Sequence, residues 1–244
     1  MDWKQKFCQP SKLDEFAQYL TGNTHNYENA EEYTEELFID KLLIRKQTDA
    51  MQIGTALHKV LEVSEYQIIP RLFTINDGNN HYKVNVKNDI QIQIPVLREM
   101  WVTKEFQGLT IRGKVDAISA CNIHDFKFTS KVNIARYMDS WQWRVYLWMN
   151  PKHTNFIYDL FTVKLNYIKD LEYVEKGSTF DPEIVEVATE LVDRVDILNY
   201  ESLELYRYAG LEQEVEEMYS EYFDTLEKLK PWIMNRAHEL RIEI

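Results

Sequence analysis

Two aspartates and a lysine are the residues with the most chemistry to share: Asp116, ending Ile111-Arg112-Gly113-Lys114-Val115-Asp116, and the pair in Asp125-Phe126-Lys127. Read as neighbouring strands, these pieces alternate their side chains between two faces. Asp125 and Lys127 then project together, and Lys114 shares a face with Asp116. The short Ser119–Asn122 link turns the chain back and sets Asp116 beside Asp125. Converging carboxylates hold a hard divalent cation through oxygen, and a lysine beside them steadies an attacking water or the negative charge developing on a phosphodiester. The plainer reading of Asp125 and Lys127 is a salt bridge on an edge strand. The apolar Ile123, Phe126 and Phe128 around them count against it.

Other positions must be brought to this centre by the elements around it. Gly54 to Tyr66 is a predicted helix with Ala56, Leu57, Val60, Leu61 and Val63 on its apolar face, and His58 and Glu62 sharing a side. An imidazole beside carboxylates makes a mixed donor set that tolerates Mn²⁺. Gly54 lets another backbone, or a phosphate, come close. Arg98 to Ile118 is a predicted hairpin turning at Gln107-Gly108, a register that places Glu99 opposite Asp116 and Glu105 opposite Thr110. Glu99, not Glu105, is then the third carboxylate, unless a one-residue slip changes the face. Asn133 to Met149 is a predicted helix with a stripe of Ile134, Met138, Trp141, Val145 and Trp148; Gln142 and Tyr146 share another side. Trp143 is either buried or the ring on which a base stacks.

In order, the chain carries Gly54-Thr55-Ala56-Leu57-His58, then Glu99, Gly113-Lys114-Val115-Asp116, Asp125-Phe126-Lys127 and Gln142-Trp143-Arg144-Val145-Tyr146. That series resembles the GxxxH, E, GxxD, DxK and QxxxY set of RecB- and Cas4-like nucleases in the PD-(D/E)XK superfamily. Any one piece turns up by chance; the ordered series is specific. The resemblance implies an α/β, restriction-endonuclease-like fold, a mixed central sheet flanked by helices, and a metal-dependent nuclease acting on DNA, an exonuclease by preference. It implies Asp116, Asp125 and Lys127 as catalytic residues. His58, Glu99, Asp116, Asp125 and the backbone carbonyl of Phe126 would be ligands for Mg²⁺ or Mn²⁺. Gln142 and Tyr146 would contact the DNA backbone or support the catalytic residues, with Arg144 and Lys131 as further DNA contacts. Recombination or single-strand-binding proteins are the partners it suggests, an oligomer is possible by the same likeness, and the setting is the cytoplasm of a bacterial or phage-infected cell. The only cysteines, Cys8 and Cys121, are too few for the four-cysteine iron–sulfur cluster of many Cas4-like relatives.

Two rival readings compete with this one. A nuclease-like fold could serve as a catalytically silent DNA- or protein-binding module, or the metal site could hydrolyse small nucleotides. The net charge of -12 suits the latter and counts mildly against nucleic-acid binding, which draws on clustered Lys and Arg. The charge is uneven, though: Lys104, Arg112, Lys114, Lys127, Lys131, Arg136 and Arg144 crowd the central stretch, and acidic residues dominate Glu183 to Glu227. No run of about 18 apolar residues is present, so a membrane partner is not expected.

The remaining elements follow from periodicity. Ser11 to Leu20 is a predicted helix capped by Ser11, Asn23 to Asn29 a loop, and Ala30 to Lys46 a helix. In the stretch from Ile68 to Pro95, Asp77-Gly78-Asn79-Asn80 signals a turn, and Tyr82 to Val86 and Ile90 to Ile94 both alternate apolar and polar residues; the stretch is read as an inserted hairpin or an edge extension of the sheet. Asn155 to Lys164 is a predicted strand. Helices are predicted over Pro182 to Tyr208 and Leu211 to Leu229, broken at Gly210 and limited by Pro231. The expected organisation is a nuclease core over 1–177, with its insertion near 68–97, and an acidic helical extension over 178–244 packed on it.

Overall fold

The computed structural model describes residues 2–22, 34–44, 49–63, 72–76, 81–87, 90, 95–178 and 181–244. The predicted loop at 23–29, the turn at 77–80 and the alternating stretch at 91–94 lie outside them, as does the end of the helix predicted from Gly54 to Tyr66.

A mixed sheet of seven strands organises the chain: β1 (Leu72–Asn76), β2 (His81–Val86), β3 (Leu97–Phe106), β4 (Leu109–Ser119), β5 (Asn122–Thr129), β6 (Asn155–Ser178) and β7 (Asp181–Tyr206). Their order across the sheet is β1-β2-β7-β6-β5-β4-β3. Most neighbours are antiparallel; β5 with β6 and β2 with β7 are parallel. Helix α3 (Asp49–Val63) packs on one face, burying Ile53, Ala56, Leu57 and Leu61 against Val84, Phe126, Phe161 and Val195. Helices α1 (Pro10–Thr21), α2 (Glu35–Leu43), α5 (Trp141–Met149) and α6 (Leu211–Leu240) cover the other through Leu13, Phe16, Phe38, Trp148 and Tyr222. This is the expected α/β architecture of restriction-endonuclease type, with a C-terminal helix. Among the described residues no helix is long and apolar enough to cross a membrane.

Several local expectations are met. The β3–β4 hairpin turns at Gln107 and Gly108, which take φ of 49° and 75°, the left-handed pair a two-residue hairpin turn demands. Its register pairs Phe106 with Leu109 and Glu105 with Thr110. At the sheet edge β1 and β2 pair antiparallel, and β2 is joined to β7.

Others are corrected. The stretch from Pro182 to Tyr208 is not a helix: Asp181–Tyr206 is β7, hydrogen-bonded to β6 along its length and to β2. Its acidic residues fall at helical spacing, but the stretch is rich in Val and Ile, whose β-branched side chains favour strand over helix. Helix α6 does not stop before Pro231; it carries that proline internally, at an exposed position, and runs to Leu240. Proline removes one N–H from the ladder, and an exposed helix face lets water take the orphaned carbonyl. Helix α1 starts one residue early, with Pro10 in the first turn and no side-chain cap, so Ser11 lies inside it. The single helix expected over Asn133–Met149 is two, α4 (Ile134–Asp139) and α5, split at Ser140, whose ψ of 138° is extended. Ile134 and Met138 are consequently exposed and do not continue the buried stripe.

Candidate metal centre

The site forms where the β4–β5 ladder ends. Pairing runs from Ser119–Asn122 to Ala117–His124 and stops at Asp116 and Asp125. There the Phe126 N–H donates instead to Asp116 Oδ2, at 2.7 Å, so the carboxylate sits in the opening between the strands. Two residues apart, Val115 belongs to the core on one face and Ala117 to the core on the other, so β4 twists its faces at Asp116.

Three predicted ligands meet in that opening. His58 reaches down from α3, Glu99 comes from β3, and a donor atom from each lies within 4.8 Å of the others and of Asp116. Glu99 gets there by leaving the ladder. Its neighbours Arg98 and Met100 keep the predicted pairing, with Ala117 and Val115, but Glu99 itself has φ of 54°. A non-glycine residue in the left-handed region costs roughly 1–2 kcal/mol. Its carboxylate is held by an ion pair to Lys114. Glu105 is turned elsewhere and accepts from the Thr110 hydroxyl at 2.6 Å.

Asp125 and Lys127 form a second, adjoining unit with Gln142 of α5. Gln142 Nε2 donates to Asp125 Oδ1 at 3.0 Å, Lys127 Nζ donates to Gln142 Oε1 at 3.2 Å, and Lys127 Nζ lies 2.7 Å from Asp125 Oδ2. That last oxygen is buried, with the Lys127 ammonium as its charged neighbour. Asp125 is one of two buried carboxylates among the described residues, at 6% exposure. It lies outside the cluster of His58, Glu99 and Asp116, but its charge is felt there.

The electrostatics of the centre are those of a site short of positive charge. Burial, then the Asp125 charge, pushes the Asp116 carboxyl well above its ordinary range. Burial pushes His58 down, against the pull of Asp125 and Glu99, so its imidazole is neutral and has a lone pair to give. Its Nδ1 lies 3.4 Å from Asp116 Oδ2. Burial also disfavours the Lys127 ammonium, but Asp125 and Asp116 outweigh it and hold that lysine charged. One nitrogen and two carboxylates within mutual reach, with a third carboxylate adjoining, fit a divalent cation by donor chemistry.

A pH dependence follows. An acid whose folded-state pKa is raised favours the folded state while protonated, so without metal the protein loses stability as pH climbs from about 3.8 through the raised value of Asp116. A cation reverses that preference, since ligation needs the ionised form. The Tm increment from millimolar Mn²⁺ is therefore expected to be small near pH 4 and to grow toward pH 8, with a flatter profile in Asp116→Asn. Equal increments at all pH values in both proteins would contradict it; paired thermal melts decide.

Two of the other predicted contacts, Tyr146 and Arg144, are drawn into the protein. Tyr146 is buried, and its hydroxyl donates to the Lys114 carbonyl at 2.8 Å, a strut under β4 and not an exposed DNA contact. Arg144 stacks on Trp143 at 4.6 Å, donates to the Ser140 carbonyl at 2.7 Å and lies 3.6 Å from Glu214. Trp143 is buried and donates to the Met138 carbonyl, which leaves it no face for a base. Lys104 and Arg112 also sit over tryptophan rings, those of Trp148 and Trp101. Lys131 lies exposed in the loop after β5.

Two polar groupings were not foreseen. Asp14 of α1 accepts from the Ser140 hydroxyl and the Trp141 N–H, seating the start of the helix that carries Gln142. Burial pushes its carboxyl up, against those two bonds. An acid between Leu13 and Phe16 was the available signal. At the far end of β5, Ser119 Oγ and His124 Nε2 are 2.7 Å apart and His124 Nδ1 and Asp159 Oδ2 2.8 Å, while the Tyr200 hydroxyl donates to Asp159 Oδ1 at 2.6 Å. This closed chain pins the β4–β5 turn to β6 and β7.

No protein-family model matches the chain, and no curated protein matches it. Among solved structures, the chain is similar to a protein from Eubacterium rectale provisionally named as an exonuclease, with 12% identity and a TM-score of 0.40 over 98% of this chain and 84% of that one. A likeness that slight is nothing to argue from. What fold and centre define together is a restriction-endonuclease-like α/β protein with a cluster of donors suited to a divalent cation.

Proposed function

We propose that the chain is a metal-dependent nuclease hydrolysing DNA phosphodiester bonds, acting from DNA ends in recombination, repair or phage DNA processing, and related to the RecB- and Cas4-like enzymes of the PD-(D/E)XK superfamily. The observation that carries this reading is the meeting of His58, Glu99 and Asp116 within 4.8 Å, beside a lysine fixed by Asp125 and Gln142.

In this reading His58, Glu99, Asp116 and Asp125, with the Phe126 carbonyl, would hold Mg²⁺ or Mn²⁺. An ion held there would supply a water of lowered pKa and neutralise phosphate charge. The chain's own residues do the rest. Lys127, kept charged by its two aspartates, donates to a phosphoryl oxygen and stabilises the charge that grows there. Gln142 bonds both Lys127 and Asp125 and keeps the ammonium from swinging away. The water oxygen forms the new bond to phosphorus, its proton leaves to solvent, and the bond to the 3′-oxygen breaks. That oxygen takes up a proton, leaving a 3′-hydroxyl and a 5′-phosphate.

The test is cleavage of end-labelled linear DNA and covalently closed DNA with Mg²⁺, Mn²⁺ or EDTA. Only linear DNA should disappear, only with metal, and Lys127→Ala should slow the loss by about 10²–10³-fold, the usual cost of removing one preorganised donor. Cutting of closed circles would make the enzyme an endonuclease. Phosphate released from mononucleotides with DNA left intact would move the reading to a small-nucleotide hydrolase, and a normal rate in Lys127→Ala would remove the proposed chemistry.

A further inference from the structure

A cavity of about 690 Å³ opens beside the metal centre, within the range of small-ligand sites. Its walls are apolar: Ile53 of α3, Phe128 at the end of β5, Val163 and Leu165 of β6 and Leu198 of β7. Its polar groups are few, supplied by Thr129, Ser130 and Lys164. Gly54 forms part of the wall, and a Cβ placed on it would meet nothing within 4 Å.

Phe128 joins this cavity to the centre. Its ring and the His58 ring meet edge to face at 5.5 Å and 83°, and it stacks on Phe161 at 5.0 Å, which in turn stacks on Tyr200 at 5.1 Å. It is thus a braced aromatic wall between a candidate metal ligand and an apolar chamber. Gly54 and His58 lie one helical turn apart on α3, so a group held at His58 is next to the opening that Gly54 leaves. A base stacked inside a duplex does not enter a cavity of this kind. A nucleotide at a fraying end, or one turned out of the helix, does, and such a base is received between apolar and aromatic side chains.

We infer that this cavity receives the nucleobase adjoining the scissile phosphate, held against Phe128. The inference rests on the nuclease reading for the word scissile, but the cavity's affinity for a nucleotide is measured without cleavage. The probe is deoxyadenosine monophosphate with Ca²⁺, titrated against wild type, Gly54→Leu and Phe128→Leu. Gly54→Leu puts a side chain into the empty space and is a better helix former than glycine, so the fold tolerates it. Phe128→Leu keeps bulk and removes the aromatic face. Losing the stacking face or filling the chamber should each weaken nucleotide binding at least tenfold, and Gly54→Leu should leave Mn²⁺ affinity unchanged.

The outcomes separate the two claims. If wild type cuts DNA but binds no nucleotide, or both variants bind it as wild type does, the cavity inference is overturned and the nuclease reading stands. If no DNA is cut while nucleotide binding is present in wild type and lost in both variants, the cavity keeps its nucleobase and the proposed reaction goes.

Discussion

Asp116→Asn is expected to slow metal-dependent cleavage at least about 10³-fold, a loss of some 4 kcal/mol of transition-state stabilisation. Asp116 is the common point of the centre: it lies with His58 and Glu99 in the donor cluster, and its charge is coupled to Asp125 and Lys127. Asparagine is nearly isosteric and can still accept from the Phe126 N–H through its amide oxygen, so the opening between β4 and β5 should keep its shape. It cannot ionise, so it offers a cation no charge. The same substitution removes a carboxylate that burial and Asp125 already disfavour. Without metal, and above the ordinary carboxylate range, the variant should therefore melt higher than wild type. Lower activity with a raised metal-free Tm is a signature that general misfolding cannot produce. Normal cleavage by Asp116→Asn would take this residue out of the chemistry.

Gly113→Ala is expected to cost about 1–3 kcal/mol, the usual range for overpacking a close-packed site. The glycine faces inward on β4, and a Cβ there would stand 2.7 Å from Tyr146 Cε1 and 2.9 Å from Pro10 Cγ. Neither neighbour yields easily. Tyr146 is buried and tied by its hydroxyl to the Lys114 carbonyl; Pro10 is a ring at the start of α1. The relief therefore has to come from β4 itself, which carries Lys114 and Asp116. Chemical denaturation gives the size, and a double-mutant cycle gives the cause: in a Tyr146→Leu background the penalty should shrink. An alanine variant as stable as wild type would show that the contact is not tight.

The legible part of this protein is what short-range geometry dictates. A two-residue turn at Gln107-Gly108 sets the β3–β4 register, and that register by itself singles out Glu99 over Glu105. Period-two alternation put Asp125 and Lys127 together, and helical spacing presented Gln142 on the side where it bonds both. What stayed hidden depends on partners distant in sequence. Glu99 leaves its ladder through a left-handed backbone that no propensity forecasts. Residues 181–206 carry acids at helical spacing, yet β6 and β2 supply ladders that override the pattern. Asp14 looks like an ordinary surface acid until α5 is laid against α1, more than a hundred residues away. Arg144 reads as a phosphate contact by type, and its neighbours Trp141 and Trp143 claim it.

The two ends of the described chain meet in one core. Tyr222 of α6 donates to the carbonyl of Phe7, its ring lies 5.2 Å from that of Phe16, and Arg236 is bonded to Asp40. On the sheet, β2 waits for β7. Contacts so far apart in sequence make assembly slow, because each closes a long loop before it is rewarded. During synthesis, α1 and α2 would emerge with their apolar faces bare and remain so until the last helix has cleared the ribosome.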